Sequence, residues 1–428
     1  MQQMTVREIA LELLLRCEAA GQYANIALDT AQKRNDLKGA DRGLLTALFY
    51  GVTEHRITLD HIIDRLSSLP PSAIERRVRM ALRLSLCQLL YFDRIPDHAA
   101  IDEGVSLVPR RSKGFVNAIL RQFCREGKAI CPPDKEADPI RYLSVTYSVP
   151  EALAETFASI WGVDGAEREL KAFSAPPHVT VRVNTKRITR EAWIARFGGT
   201  PTKYAPNGVR FSDGEVLHTA LAEGLCFVQD EASQICVAAL DAENARVLDV
   251  CAAPGSKSFG AALDGAREVC SFDLHENKIS LIRRGAASLG IDNLTASARD
   301  ARTASPEALG SFARVLADVP CSGYGVLAKK PDIRYKDVQT AQGLPAIQRE
   351  ILHRAADCVE KGGVLIYSTC TVLPAENEEQ IAAFLAARPE FALEPFRVGE
   401  LESNGMLTLT PATYGTDGFF IAKMRKGC

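Results

Sequence analysis

The spacing of apolar residues changes along this chain of 428 residues. In the first part, apolar side chains such as Ile9 and Leu13 recur every three or four positions, which is the period of an amphipathic helix. Thr5 and Glu8 have the spacing of a capping box at the start of that helix. Similar patterns continue to about residue 128, so we predict an all-helical domain over residues 1–130.

A second part begins with prolines. Residues 131–140, which open with Cys131-Pro132-Pro133, have the composition of a stiff linker. After a further helical pattern, apolar and polar residues alternate over 179–184, as in a half-buried strand. These patterns predict a small α+β insert over residues 141–225.

In the third part, short apolar runs alternate with helical patterns. The runs are Val247–Val250, Val269–Phe272, Leu294–Ala298, Arg314–Ala317 and Gly363–Tyr367. Such alternation predicts a doubly wound parallel sheet with right-handed crossovers. Two later runs, 406–410 and 418–423, predict an antiparallel hairpin that closes the sheet. We therefore expect a multidomain chain whose last part, residues 226–428, is an α/β Rossmann-like domain.

Composition narrows the class of protein. The chain is 46% hydrophobic and 24% charged, as in soluble globular proteins, and we find no apolar run long enough to span a membrane. Glu8, Glu12 and Arg16 interrupt any signal-peptide core. The twelve cysteines are scattered without zinc spacing, which favours a reduced, metal-free protein of the cytoplasm. The net charge of −2 means that any nucleic-acid surface must be local.

Two cysteines follow two of the predicted strands. Cys321 lies in Asp-Val-Pro-Cys-Ser-Gly and Cys370 in Ser-Thr-Cys-Thr. In an open α/β sheet the residues after parallel strands face the ligand crevice. A thiolate is a strong nucleophile, so two thiols in one crevice suggest covalent catalysis. A single cysteine is more often a buried core residue, but neither flanking sequence resembles core filler.

A third strand leads into a loop of small residues that we predict to bind a cofactor. The loop consists of Cys251, Ala252, Ala253, Pro254, Gly255, Ser256 and Lys257. It matches neither GxGxxG nor the Walker pattern, which argues against a dinucleotide or ATP. Asp273 ends the next strand, where a carboxylate can accept both ribose hydroxyls, and Asp300 follows a further strand on the expected adenine side. Carboxylates at successive strand ends suit the cationic S-adenosylmethionine, although helix capping is an alternative role for each.

These motifs resemble the RNA 5-methylcytosine methyltransferase family, above all its bacterial small-subunit branch, the RsmB (Fmu/Sun) family. Residues 96–101 and 114–121 are similar to its NusB-type RNA-binding domain. The cofactor loop is similar except that Ser256 replaces a usual glycine, which requires a negative φ at that residue. Asp318–Gly323 and Ser368–Cys370 are similar to its two catalytic motifs.

The resemblance implies a mechanism and a role for each site residue. Cys370 attacks carbon 6 of a cytosine, which makes carbon 5 nucleophilic enough to take the methyl group of S-adenosylmethionine. Cys321 assists release of the product. Asp318 hydrogen-bonds the pyrimidine and borders the cofactor, and Lys257 steadies charge near the thiolate.

The implied substrate is 16S ribosomal RNA, in a single-stranded region or an opened hairpin, because the base must leave its stack. Lys329, Lys330 and Arg334 follow the Cys321 loop, and we expect them to contact the RNA backbone. The resemblance extends RNA binding to the helical domain, where residues 76–83 contain four arginines, and to the insert over 141–225. We expect a monomer.

Several alternatives remain open at this point. One is a cytosine-5 methyltransferase acting on transfer RNA, and another is a non-catalytic RNA-binding assembly factor. Amino-group methyltransferases place Asn/Asp-Pro-Pro-Tyr/Phe after the fourth strand, and the Asp318-Val319-Pro320-Cys321 found here argues against that class. DNA cytosine enzymes use the Pro-Cys thiol as nucleophile and do not need a second cysteine.

Overall fold

The structure is a computed structural model that describes residues 4–20, 24–211, 214–336 and 342–428. The chain folds into two compact units. The first, which we call the helical unit, contains Met1–Ser174 and Lys330–Lys336. The second, the sheet unit, contains Ala175–Lys329 and Asp337–Cys428. Among the described residues, no helix has the length and apolar character that crossing a membrane requires.

Nine helices are described in the helical unit, as the periodicity predicts for its first part. They are α1 (Val6–Ala20), α2 (Ala24–Arg34), α3 (Gly39–Glu54), α4 (Arg56–Leu66), α5 (Arg76–Tyr91), α6 (Asp97–Ser106), α7 (Lys113–Arg125), α8 (Pro139–Tyr147) and α9 (Glu151–Phe173). The predicted capping box is present, because the Thr5 N–H donates to the Glu8 carboxylate at 2.7 Å and the Glu8 N–H donates to Thr5 Oγ1 at 3.2 Å. α5 is buried over most of its length and forms the centre of this core.

The boundary between the units differs from the predicted one. The proline-rich residues 131–140 are fastened to the helical unit, because Lys135 Nζ lies 2.8 Å from Asp164 and 2.6 Å from Glu167 of α9. Proline content indicated a linker, but these ion pairs join sequence-distant residues that composition does not reveal. α8 and α9 therefore belong to the helical unit, and the division follows Ser174.

The short segment Lys330–Lys336 also belongs to the helical unit. Arg334 is 2% exposed, and its Nη1 donates to the Glu54 carbonyl at 3.0 Å and to the Tyr147 carbonyl at 3.4 Å. The Tyr335 hydroxyl donates to the same Glu54 carbonyl at 3.2 Å. The Arg56 guanidinium lies 3.8 Å from the centre of the Tyr335 ring.

The sheet unit begins with a small antiparallel sheet. Its strands, in the order β2-β3-β1-β4, are β1 (Val179–Val183), β2 (Thr200–Pro201), β3 (Gly208–Phe211) and β4 (Cys226–Val228). The helices α10 (Arg190–Phe197), α11 (Gly214–Ala222) and α12 (Glu231–Leu240) accompany it. The alternation over 179–184 thus forms the predicted strand, and the helical stretch before it is part of the other unit.

The main sheet confirms the predicted α/β architecture. Its strands are β5 (Arg246–Asp249), β6 (Glu268–Asp273), β7 (Leu294–Ala298), β8 (Phe312–Asp318), β9 (Val359–Thr369), β10 (Phe391–Leu393), β13 (Met406–Leu409) and β14 (Phe419–Lys426), while β11 (Phe396–Val398) and β12 (Leu401–Ser403) form a separate pair. The remaining helices are α13 (Ser256–Leu263), α14 (Glu276–Leu289), α15 (Pro306–Leu309), α16 (Leu344–Asp357), α17 (Glu378–Ala387) and α18 (Pro411–Tyr414).

The strand order of the main sheet locates its ligand crevice. β7-β6-β5-β8-β9 run parallel, and β14 joins β9 in the antiparallel direction. The predicted hairpin is present, because β13 pairs with β14. The order reverses at β5, and open α/β sheets bind ligands outside the carboxyl ends of the strands at such a switch point. The ends of β5, β6, β8 and β9 are therefore the place to look for a site.

Candidate active site

The two cysteines of the sequence analysis lie side by side. β8 and β9 are neighbouring parallel strands in which Asp318 pairs with Ser368. Cys321 and Cys370 follow these residues, so both enter the crevice at the same edge. Their sulfur atoms are 3.2 Å apart, and both residues are partly buried. The convergence predicted from two strand ends is therefore observed.

The surroundings of Cys321 keep its thiol protonated. The hydrogen bond with Cys370 and then burial raise the pKa of Cys321 well above its ordinary value, and the Glu376 and Asp318 carboxylates add to this effect. A thiol that keeps its proton can donate to the neighbouring sulfur. Either sulfur can be the donor in this contact, so a proton can pass between Cys321 and Cys370.

A buried ion pair lies beside the thiols. Lys257 Nζ donates to Asp318 Oδ2 at 2.6 Å, and the Ser368 hydroxyl donates to Asp318 Oδ1 at 2.8 Å. Burial opposes charge on Lys257, but Asp318 and other anionic neighbours outweigh it and raise the pKa of the ammonium group. Lys257 is therefore a cation held within the site, and its Nζ lies 5.0 Å from the centre of the Phe419 ring.

The predicted cofactor loop connects β5 to α13. The Ala252 N–H donates to the Phe272 carbonyl at 2.7 Å, which ties the loop to the end of β6. Gly255 has a φ of +113°, and a Cβ there would overlap the Phe259 ring, so glycine is required. Ser256 is the first residue of α13 and has no positive φ, which is why it replaces a glycine without strain.

Two carboxyl groups contact this loop. Asp273 Oδ2 accepts the Ala253 N–H at 3.3 Å, and Lys278 lies 3.4 Å from Oδ1. Asp249 accepts the Ser258 hydroxyl at 2.7 Å, and burial raises the pKa of Asp249 to about 7. Burial also raises the pKa of the Cys251 thiol well above its ordinary value. Asp273 is thus placed at the loop as predicted.

Asp300 has a different environment. It caps a short helix by accepting the Arg302 N–H at 3.0 Å, and the Arg302 guanidinium contacts both of its oxygens. This is the capping role that the sequence left open as an alternative. The hydrogen bond from Arg302 lowers the pKa of Asp300.

The three basic residues after Cys321 do not form a shared RNA surface. The expected backbone contact is wrong for Arg334, which is buried and bonded inside the helical unit. Lys329 is bound at 2.5 Å by Asp230 and at 2.8 Å by Asp417, so two carboxylates neutralise it. Lys330 is exposed and stays a candidate.

The arginine cluster of α5 is likewise neutralised by carboxylates. Arg83 contacts Asp60 and Glu18, and Arg79 contacts Asp60 and Asp64. Arg83 is also buried. These side chains hold the helical unit together, so the charge run is not by itself a binding face.

Two buried polar residues that contact the chain around the thiols were not predicted from the sequence. Glu376 and Asn377 follow the Cys370 loop and are 1% and 0% exposed. They contact the segments that carry both cysteines. Only their position soon after Cys370 could have drawn attention to them, since their partners are distant in sequence.

Comparisons with known proteins match both units. A family described as 16S rRNA methyltransferase RsmB/F matches residues 237–425, and the NusB family matches residues 4–125. A probable ribosomal RNA small subunit methyltransferase B of Bacillus subtilis is 38% identical over 100% of both chains. The chain belongs to the ribosomal RNA small subunit methyltransferase B family.

A further relative has the same family name, and a solved structure has a similar fold. A probable ribosomal RNA small subunit methyltransferase B of Synechocystis is 32% identical over 99% of this chain and 100% of its own. The solved structure of PH0851 is 25% identical, with a TM-score of 0.77 over 99% of this chain and 100% of that one. Members of the ribosomal RNA small subunit methyltransferase B family are S-adenosylmethionine-dependent ribosomal RNA methyltransferases, so this chain is one too.

The site residues fit S-adenosylmethionine. The small side chains of the loop let a ligand approach its backbone, and Asp273 offers carboxylate oxygens at the end of β6. Asp273 and Asp318 place carboxylate oxygens at the crevice that can face a sulfonium cation, and each carboxylate also contacts a lysine. When bound, the cofactor supplies an electrophilic methyl group.

Proposed function

We propose that this methyltransferase modifies carbon 5 of a cytosine in 16S ribosomal RNA through a covalent bond between Cys370 and the base. The observation that carries the proposal is the 3.2 Å separation of the two sulfur atoms beside the Lys257–Asp318 pair. Methyl transfer to an amino group needs no nucleophile from the enzyme, because the amine itself attacks the methyl group. Carbon 5 of cytosine, in contrast, must first be activated. Two thiols at the switch point of the sheet match the second task.

The proposed reaction balances in two stages. The Cys370 thiolate adds to carbon 6, and the resulting electron pair at carbon 5 takes the methyl group, leaving S-adenosylhomocysteine. A base then removes the carbon 5 proton, the double bond reforms, and the bond from carbon 6 to sulfur breaks. Cys321 serves this second stage, because its position beside Cys370 keeps an exchangeable proton at the departing sulfur.

Lys257 and Asp318 set the charge at the reacting base. The Lys257 cation favours a thiolate nearby and holds Asp318 through one oxygen. Asp318 is 27% exposed on its side chain, so its carboxylate is accessible from the crevice. It is the group proposed to accept hydrogen bonds from the amino group and from the protonated ring nitrogen 3 of cytosine, and protonation of that nitrogen favours attack at carbon 6.

Cofactor binding is assigned to the loop from Cys251 to Lys257, with Asp273 on the ribose and Asp318 beside the methyl group. Asp300 stays a weaker assignment because Arg302 occupies both of its oxygens. RNA binding is assigned to the NusB-type helices and to exposed Lys330. The substrate cytosine is unstacked, since a paired base does not reach both thiols.

Replacement of each cysteine by alanine tests the mechanism. We expect Cys370→Ala to abolish methyl transfer to 16S ribosomal RNA and to form no adduct. Cys321→Ala should transfer the methyl group and then accumulate a covalent protein–RNA complex, visible as a denaturant-stable band. Cys358→Ala, which alters another buried cysteine of the sheet unit, is the control and should turn over normally.

The opposite pattern has a clear meaning. An adduct in Cys370→Ala but not in Cys321→Ala would reverse the roles of the two thiols. Full methyl transfer by Cys370→Ala would refute covalent catalysis by that residue. Mapping the product base, and repeating the assay with transfer RNA, checks the substrate.

A further inference from the structure

Glu376 and Asn377 are consecutive buried residues that the mechanism above does not use. Glu376 is the last residue of a short helix, Pro374–Glu376, and Asn377 directly precedes α17. Glu376 Oε1 is buried and has no hydrogen-bond partner among the described residues. A buried carboxylate oxygen without a partner costs stability, so stability alone does not explain an acidic residue here.

Hydrogen bonds of Glu376 hold the chain on both sides of Cys321. Its Oε2 accepts the Ser322 N–H at 3.0 Å and the Gln348 amide at 2.7 Å. The same Gln348 amide donates to the Pro320 carbonyl at 3.0 Å. The residues before and after Cys321 are therefore tied, directly or through Gln348, to a single carboxylate.

Hydrogen bonds of Asn377 hold the chain on both sides of Cys370 in the same way. Its Oδ1 accepts the Thr369 hydroxyl at 2.6 Å, and its Nδ2 donates to the Thr371 carbonyl at 3.0 Å. A hydrogen bond of 2.7 Å between the Ser322 and Thr371 hydroxyls joins the two segments to each other. Adjacent residues thus hold the backbone around each sulfur.

We propose that Glu376 and Asn377 are a positioning pair that sets the separation of the two thiols, Glu376 acting on Cys321 and Asn377 on Cys370. This inference rests on the proposed two-cysteine mechanism. One peptide bond joins Glu376 to Asn377. A shift of either residue therefore changes the distance between the two sulfur atoms. Displacement of a reacting group by about 1 Å can slow a reaction about 100-fold. A shift of Glu376 would affect release of the product, and a shift of Asn377 would affect formation of the adduct.

The two residues therefore predict opposite failures. Glu376→Ala frees the Cys321 segment, so we expect methyl transfer to proceed and release to slow by about tenfold or more, with an accumulated adduct. Glu376→Gln keeps the shape and one acceptor, and should restore much of the release rate because it preserves the Ser322 contact. Asn377→Ala frees the Cys370 segment and should slow adduct formation, with no accumulation. Single-turnover assays that separate methylated RNA from covalent complex measure both stages.

A matched control distinguishes positioning from a loss of stability. Gln380 is also buried, lies in α17 and donates to the Ala375 carbonyl at 2.9 Å, and Ala375 lies outside both cysteine segments. Gln380→Leu should leave the ratio of adduct to released product unchanged, whatever it does to the melting temperature. Equal slowing of both stages in Glu376→Ala and Asn377→Ala, or an altered ratio in Gln380→Leu, would overturn the proposal. Including Cys321→Ala separates this failure from that of the mechanism, because absence of an adduct there refutes the two-cysteine chemistry itself.

Discussion

Burial acts differently on two charged residues at the base of the cofactor loop. Asp249 is 1% exposed and has a hydroxyl partner, so burial dominates and raises its pKa to about 7. Lys257 is buried too, but its ion pair with Asp318 outweighs burial and keeps the ammonium group charged. Near neutral pH the site therefore combines a half-protonated acid with a fixed cation.

Asp249→Asn should change how stability depends on pH. The pKa of Asp249 is higher in the folded state than in the unfolded state. The contribution of Asp249 to the free energy of unfolding therefore falls as pH rises from about 4 to about 7 and is constant at higher pH. The asparagine variant lacks this loss. Between pH 5 and pH 8 its free energy of unfolding should therefore improve relative to the parent by roughly 2 kcal/mol.

Fluorescence can report this effect from the sheet unit alone. The chain has two tryptophans, Trp161 in the helical unit and the fully buried Trp193 in the sheet unit. In a Trp161→Phe background, urea midpoints followed by Trp193 measure the sheet unit. An unchanged difference between variant and parent at the two pH values would contradict the assignment.

At the residue scale, the sequence predicted positions better than it predicted environments. Cys321, Cys370 and Asp273 could be located from the sequence because all three lie at or just beyond the ends of strands whose apolar runs are easily recognised. Lys257 was placed near the thiolate only by the resemblance, because its burial and its contact with Asp318 depend on the fold. Glu376 escaped notice because its partners lie at Ser322 and Gln348.

At the element scale, the loop after β8 and the start of β14 approach each other closely. The Gly325 N–H donates to the Cys370 carbonyl at 3.0 Å, and the Gly418 N–H donates to the Gly325 carbonyl at 2.7 Å. A Cβ at Gly325 would overlap the Gly418 carbonyl, so no side chain fits between these backbones. The antiparallel end of the sheet thereby supports the loop that carries Cys321.

Gly325→Ala tests this support. Forcing a methyl group between two backbone segments should cost about 1–3 kcal/mol and reduce methyl transfer, because the Cys321 loop must shift. Gly343→Ala is the matched control, since nothing lies within 4 Å of a Cβ there and its φ is negative. The Trp193 urea midpoint and the single-turnover rate measure the two effects. Equal behaviour of both variants would show that the close approach does not matter.

The five parallel strands of the main sheet were predicted from the sequence. β7 has the predicted limits, and β5, β6, β8 and β9 lie where they were predicted but begin or end at other residues. Hydrophobic runs determine where strands lie, so this success is physical. The glycine contact was not predictable, because it depends on which loops the strand order brings together.

At the scale of the whole molecule, the sequence misplaced the boundary between units. Prolines at 132 and 133 suggested a linker, whereas the ion pairs of Lys135 attach this stretch to α9. Arg334 was assigned to RNA because it follows a catalytic loop, yet its partner Glu54 is far away in the chain. Contacts of this kind are properties of the folded chain and leave no local pattern.

Arg334 and Lys330 should therefore respond differently to substitution. Arg334→Ala should destabilise the helical unit, seen as faster hydrogen exchange in α3 and α8, while β5 to β9 remain protected. Lys330→Ala should leave exchange unchanged and reduce the slope of log Kd for RNA against log salt by about 0.7, the value for one single-strand phosphate. A lower salt slope for Arg334→Ala without a change in exchange would restore its role in RNA binding.

The order in which the ribosome makes this chain gives the segment Lys330–Lys336 a further consequence. Residues 1–174 emerge first, but the piece that supplies Arg334 and Tyr335 to them is made more than 150 residues later. At roughly 5–20 residues per second, that delay is on the order of ten seconds or more. During synthesis the helices form before Arg334 can donate to the carbonyls of Glu54 and Tyr147, and the helical unit is completed only after β5, β6, β7 and β8 have left the ribosome.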